Sequence, residues 1–287
     1  MFFNFLCVSA PMRQPAVAGS FYPGTPLGLK QAVLEFLLEA KKRVKSREAY
    51  AGVCPHAGYV YSGFTAAHTF ASISNLTKPN LTVVFFGPNH TGVGTPISIS
   101  QDDWLTPLGV AQCDKELSKE IQKNSKHIQF DESAHKGEHS IEVQLPFLQI
   151  TNPSARFVAI CMGDQSTDSA KDVADAVFKS LKSSAAKGKE IVVIASSDFT
   201  HYESTDSAQK KDTPAISKIT KLEADSFNDY VESNNLTICG HAPIAAAAMY
   251  AKKCGAKQAE LIRYTNSGEA SGDYDQVVAY ASIGFFK

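Results

Sequence analysis

The stretch Ile191-Val-Val-Ile-Ala-Ser-Ser-Asp-Phe-Thr-His201 constrains the fold more than any other part of the chain. Its apolar, β-favouring residues run unbroken into two hydroxyls, a carboxylate and an imidazole. Continuous apolar runs of this kind are strands buried on both faces, as in a parallel sheet. In open α/β sheets the ligand crevice lies beyond the carboxyl ends of the strands. Ser196, Ser197, Asp198 and His201 therefore stand where such a fold puts its chemistry. Two further runs end alike, Tyr50–Cys54 at Pro55-His56 and Leu81–Phe86 at Gly87-Pro88-Asn89-His90. One histidine after a strand is commonly a structural hydrogen-bonding residue. Three of the chain's eight histidines at equivalent strand ends point to a shared crevice, because neighbouring strand ends converge.

Between the strands the apolar period becomes helical. Leu27 to about Lys42 carries one wide apolar face, and Ser62–Ile73 is rich in small residues with Ser62 as its expected N-cap. Asp114 caps a helix to about Lys123, and Asp168–Lys182 is amphipathic. A long helical pattern covers Thr213–Ser233, with Pro214 near its first turn, and an Ala-rich helix covers 243–253. Short strands are predicted near 96–100 and 107–112, and longer ones at Arg156–Met162, Ala259–Tyr264 and Val277–Phe286. Residues 13–26 read as a structured loop, 135–139 as a loop, and Ser140–Gln149 as a short helix with Pro146 inside or ending it. No linker, composition break or repeat interrupts this alternation. The expected fold class is α/β, a single domain over residues 13–287 with a central mixed, largely parallel sheet flanked by helices.

Residues 1–12 read as an N-terminal extension. They are apolar, but too short for a membrane span and without the basic region of a signal peptide. Met12 is an alternative start. The formal net charge of −1 argues against a nucleic-acid surface. The one dense basic run, Lys41–Lys45, follows a helical pattern and reads as a solvated helix end. Six cysteines (7, 54, 113, 161, 239, 254) are widely spaced with no C-x-x-C pair. That pattern fits neither a disulfide framework nor a structural zinc site, and suits a reducing compartment. The expected setting is cytoplasmic, with no nucleic-acid or membrane partner and an open oligomeric state.

Glu138-His139-Ser140-Ile141-Glu142 adds a fourth candidate element. With His135 it spells H-x-x-E-H, but Gly137 interrupts the helix that pattern requires. His135 therefore reads as a loop residue, while His139 and Glu142 line the crevice from a helix start. Ser196 or Ser197 with Asp198 and His201 has the residue types of a triad, yet within one turn and without a nucleophile elbow. Cys239 precedes the Ala-rich helix, whose dipole is expected to lower its thiol pKa. As a thiolate it would ligate a metal or, with a histidine base, attack an electrophile. Cys7, Cys113, Cys161 and Cys254 read as small core residues. Two imidazoles and one anionic ligand, with open positions, suit mononuclear non-haem iron, and further histidines would act beside it.

Cys54-Pro-His-Ala-Gly-Tyr-Val-Tyr-Ser-Gly63, Phe86-Gly-Pro-Asn-His90, Glu138-His-Ser-Ile-Glu-Val-Gln-Leu-Pro146, Ser196–His201, Thr237-Ile-Cys-Gly240 and Ser267-Gly-Glu-Ala-Ser-Gly-Asp273 together resemble the Memo family, in order, from about Gln14 to the C-terminus. That family is similar in fold to class III extradiol dioxygenases, whose Fe(II) is held by two histidines and a glutamate. The resemblance implies that His56 and His90 take the histidine positions as metal ligands and that Cys239 takes the place of the glutamate. It implies His201 as the acid–base histidine, His139 as the other histidine beside the metal and Asp198 as an orienting neighbour. His241 stays unassigned. Thiolate at 239 is the departure from the dioxygenases, and it argues against carrying ring cleavage over. The family's roles in animals concern signalling, cell motility, and iron and copper handling, and define no substrate.

The expected function is thus a metal-binding, dioxygenase-like protein with O2-dependent oxidoreductase activity. Fe(II) is the expected cofactor, with Cu or Zn as competitors. The alternative is a non-catalytic module binding a peptide or small molecule in the same crevice, with Tyr59, Tyr61, Tyr264 and Tyr274 as an aromatic rim. A third reading is hydrolysis through Cys239 or Ser197.

Overall fold

The computed structural model describes residues 12–287, so Cys7 and the rest of the expected N-terminal extension before Met12 lie outside the described residues. In chain order the first half comprises β1 (Met12–Arg13), α1 (Pro26–Lys41), β2 (Ala49–Cys54), α2 (Tyr59–Ser72), β3 (Leu81–Pro88), β4 (Ile97–Ile99), β5 (Asp103–Thr106), β6 (Gly109–Cys113), α3 (Lys115–Asn124), β7 (Gln129–Phe130), α4 (Ser133–Lys136) and α5 (Leu145–Thr151). The second half comprises β8 (Arg156–Met162), α6 (Thr167–Ser180), β9 (Glu190–Ser196), β10 (His201–Glu203), α7 (Thr205–Thr220), α8 (Ala224–Ser233), α9 (His241–Cys254), β11 (Glu260–Asn266), α10 (Gly268–Ser271) and β12 (Val277–Phe286).

One mixed sheet organises the molecule. β6, β8, β3, β9 and β2 lie side by side and parallel, and β12 closes the far side antiparallel to β2. The single-domain α/β expectation, with a mixed, largely parallel sheet, is what is observed. Successive side chains of a strand point to opposite faces, and β3 shows both at once. Val84 and Phe86 enter a core with α3, α6, α7, α8 and α9, whereas Val83 and Phe85 enter a second core with α1, α2 and α5. A strand buried on both faces has no polar side to alternate with, which is why the runs in the sequence are continuous. Each large side chain buried this way contributes about 1.5–3 kcal/mol. The alanines of α9 are buried against β2, β3 and β9, where their small side chains allow close approach. Among the described residues no helix is long and apolar enough to cross a membrane.

Several local expectations change. α2 begins at Tyr59 with Gly58 as its N-cap, so Ser62 lies inside the helix and donates back to the Ala57 carbonyl. The long 213–233 pattern is two helices that part at 221–223, where Leu222 has positive φ. Pro214 sits inside α7 rather than at its start. Pro146 lies inside a short helix, but that helix starts only at Leu145, so Pro146 occupies the first turn of α5, where its missing N–H costs nothing. Arg13, in the expected loop, instead pairs with Trp104 across β1 and β5. Asp114 caps α3 as expected, accepting from Leu117 N.

Candidate metal centre

His56 and His90 follow the carboxyl ends of β2 and β3, and Cys239 precedes α9, whose first turn points at the same crevice. One ring nitrogen of each histidine and the Cys239 thiol lie within 4.8 Å of one another. Cys239 Sγ is 3.2 Å from His56 Nε2. Ligand pairs around a tetrahedral ion with bonds of about 2.0–2.3 Å stand roughly 3.3–3.8 Å apart, so this set fits a metal with little movement.

The rest of the crevice orients these donors. His90 Nδ1 meets Glu138 Oε1 at 2.9 Å; the carboxylate can only accept, so Nδ1 carries the hydrogen and Nε2 is left free. Glu138 also accepts from the backbone N–H groups of His90, His139 and Ser140. Such carboxylate–histidine pairs hold metal-ligating rings in place. Burial alone would raise the Glu138 carboxyl, but the hydrogen bond and charge of His90 outweigh it and hold Glu138 well below the usual carboxylate range. Glu138 belongs to the motif yet carries no expected role of its own. Its partner is 48 positions away, and no local pattern signals that contact.

Asp198 accepts from His56 N at 2.8 Å and offers its own N–H to Cys239 Sγ at 3.3 Å. Burial lifts its carboxyl to about 6, an effect partly offset by the His56 N–H. The Cys239 thiol moves opposite to expectation. Burial, with the Asp198 carboxylate second, pushes its pKa up, against the lowering by the Asp198 N–H and the Ser197 hydroxyl. His56 is held well below its ordinary value by burial and by the neighbouring His90 and His139. Gly240 is required here. A Cβ would lie 2.5 Å from the Ser196 carbonyl, so only glycine lets Cys239 approach β9 so closely.

His139 stacks on His90 with ring centroids 4.7 Å apart and meets the edge of Phe21 at 4.8 Å. His201 lies in β10 rather than in a turn. Its Nδ1–H donates to the Thr237 carbonyl at 2.8 Å, and its backbone N–H to Thr237 Oγ1. That contact fixes Nδ1 and leaves Nε2 outside it. Five of the six expected site residues, His56, His90, His139, Asp198 and Cys239, are thus in mutual contact, and His201 is held on Thr237, two residues before Cys239.

The remaining candidates do not take the roles expected of them. Ser196 Oγ donates to the Ser140 carbonyl and Ser197 Oγ to the Asp198 carbonyl, while the Asp198 carboxylate faces the His56 backbone, so no serine triad is assembled. His135 is buried near Trp104. His241 hydrogen-bonds Asn228, and burial lowers its pKa to about 4. Glu142 does not line the crevice but anchors the N-terminal segment through Arg13, Tyr22 and the backbone of residues 16 and 17. Tyr59 is buried, and the hydroxyl of Tyr264 is committed to Asp212, which leaves Tyr61 and Tyr274 exposed from the expected rim.

Residues 13–284 match the model of the family described as Memo-like protein. A MEMO1 family protein of Methanosarcina barkeri is 43% identical over 273 residues, covering 95% of this chain and 99% of its own length. A MEMO1 family protein of Desulfurococcus amylolyticus is 40% identical over 285 residues, covering 96% and 99% respectively. One from Methanopyrus kandleri is 41% identical over 282 residues, covering 95% and 98%.

Proposed function

Because the chain belongs to the Memo-like protein family, we propose that it binds one metal ion through His56, His90 and Cys239 and supports O2-dependent redox chemistry. Iron(II) is the expected ion, with copper and zinc as competitors because the thiol softens the donor set. The observation that carries this reading is the convergence of three donors from separate elements within 4.8 Å of one another. Bound iron or copper would supply Lewis acidity and one-electron reactivity.

The chain's own residues do the rest. Glu138 holds the His90 ring, and Asp198 holds the backbone of His56 and the thiol. His201, its ring fixed on the Thr237 carbonyl, accepts or returns a proton at Nε2. His139, packed between His90 and Phe21, walls the crevice. The test is metal analysis of anaerobically purified protein. About one iron per chain is expected, lost in His56→Ala and Cys239→Ala; stoichiometric iron retained equally by both variants overturns the ligand assignment.

A second reading, a non-catalytic module binding a peptide or metabolite, draws on Tyr61, which is 46% exposed. It requires ligand binding that survives chelation, and binding lost with the metal overturns it.

A further inference from the structure

We infer that Ser196 and Gln144 are positioning residues that lock His56 in its Nδ1–H tautomer and so aim the Nε2 lone pair at Cys239. This rests on the metal-centre reading for its purpose, but not for its geometry. The Ser196 hydroxyl has one hydrogen. Its Oγ lies 2.6 Å from the Ser140 carbonyl, which can only accept, so the hydrogen is committed there. Gln144 Nε2 stands 2.9 Å from the Pro55 carbonyl and 2.9 Å from Ser196 Oγ, and spends both its hydrogens on them. The Pro55 carbonyl fixes which way the amide faces, because the flipped group would set oxygen against oxygen.

What remains on Ser196 Oγ is a lone pair, able only to accept. His56 Nδ1, 2.9 Å away, must therefore bring the hydrogen. A neutral ring protonated at Nδ1 has a bare Nε2, and that atom is the one 3.2 Å from Cys239 Sγ. Ser140, Gln144 and Ser196 are fully buried and His56 nearly so, which keeps water from offering an alternative partner.

The two histidines are thus held by chemically different means. Glu138 holds His90 with a charge, whereas His56 is held by a neutral hydroxyl. The difference has a physical reason. His56 already faces the buried Asp198 carboxylate, and a second buried carboxylate there would add like-charge repulsion and desolvation. Neither Ser196 as a member of a triad nor Gln144 as a helix residue suggested this role, and the pair explains both.

The test uses full-length, metal-free protein labelled with 15N in its histidine rings, since multiple-bond 15N–1H spectra distinguish a protonated from a bare ring nitrogen. Wild type should show His56 protonated at Nδ1 and bare at Nε2. In Ser196→Ala Nδ1 loses its acceptor and one Gln144 N–H loses its own, so the Nε2–H tautomer gains population. Co(II) affinity, measured by competition, should fall about tenfold to a hundredfold, as for other residues that orient metal-bound histidines. Ser196→Thr, which keeps the hydroxyl, should restore both. If Ser196→Ala does not fold, Gln144→Met removes the two donors at similar volume and should give mixed tautomers and weakened Co(II) binding. A wild-type His56 protonated at Nε2 overturns the proposal, as does either variant that folds and keeps both the pure Nδ1–H tautomer and wild-type Co(II) affinity. Unchanged Co(II) affinity in His56→Ala would strike the metal-centre reading instead, and leave the tautomer result standing.

Discussion

Replacing Glu138 by glutamine keeps the side chain's shape and removes its charge, which isolates what the carboxylate does. Oε1 accepts from His90 Nδ1 at 2.9 Å and from the N–H groups of His139 and Ser140, each at 2.8 Å, while Oε2 accepts from the His90 N–H. Glutamine does best by keeping its oxygen at the three-donor position, which sets its NH2 against the His90 N–H. One charge-assisted hydrogen bond is lost outright, worth about 1.5–3 kcal/mol. The other three lose their ionic character, and with it up to roughly half their strength. The expected destabilisation of the metal-free protein is about 2–4 kcal/mol, a large share of a typical total of about 5–15 kcal/mol. Urea unfolding measures it. A carboxylate held below its ordinary pKa contributes stability above that ordinary value and loses it as the pH falls through the folded one. The gap between wild type and Glu138→Gln should therefore be full at neutral pH and narrow in acid. Metal affinity should fall about tenfold to a hundredfold, because the His90 ring loses its anchor. A Glu138→Gln protein within about 0.5 kcal/mol of wild type and with unchanged metal affinity would refute the role given to this carboxylate.

Three further outcomes are expected. Glu142→Ala strands the buried Arg13 guanidinium, now 2.7 Å from that carboxylate, and should cost about 3–5 kcal/mol in urea unfolding; Glu142→Gln, which keeps an acceptor, should cost less, and the reverse order would contradict the anchoring role. His135 is buried, and its burial and the Arg13 charge lower its pKa to about 3. The unfolded chain takes up this proton near pH 6.5 and the folded one does not, so stability should drop by about 1.4 kcal/mol per pH unit from roughly pH 6.5 downward. His135→Leu should remove that component, and identical pH profiles for the two proteins would count against it. Gly240→Ala forces a Cβ toward the Ser196 carbonyl, so thermal unfolding should show about 1–3 kcal/mol of overpacking, accompanied by weakened metal binding; a variant neutral in both would show that the close approach is dispensable.

The strands were legible because their signal is local. Leu81–Phe86 and Ile191–Ala195 are continuous apolar runs, and a strand packed on both faces can be little else. The crevice was legible for a related reason, since parallel strands deliver their carboxyl ends to one edge and the histidines follow directly after them. The helix errors came from turns that carry weak sequence signals. Apolar positions run at helical period through 221–223, so the break between α7 and α8 depends on backbone conformation at Leu222, not on a glycine or proline.

By itself the sequence determined the α/β architecture and pointed to His56, His90 and Asp198 after the ends of strands, with His139 and Cys239 reaching them from loops. Only the tertiary structure decided which ring nitrogen each histidine presents, that Glu138 and Ser196 hold those rings, that Glu142 serves the N-terminal segment, and that the Cys239 thiol is raised rather than lowered. The physical reason is range. Apolar period and motif are written over a few neighbouring residues, whereas a hydrogen's position and a thiol's pKa depend on partners 36 to 183 positions away along the chain that only packing brings into contact.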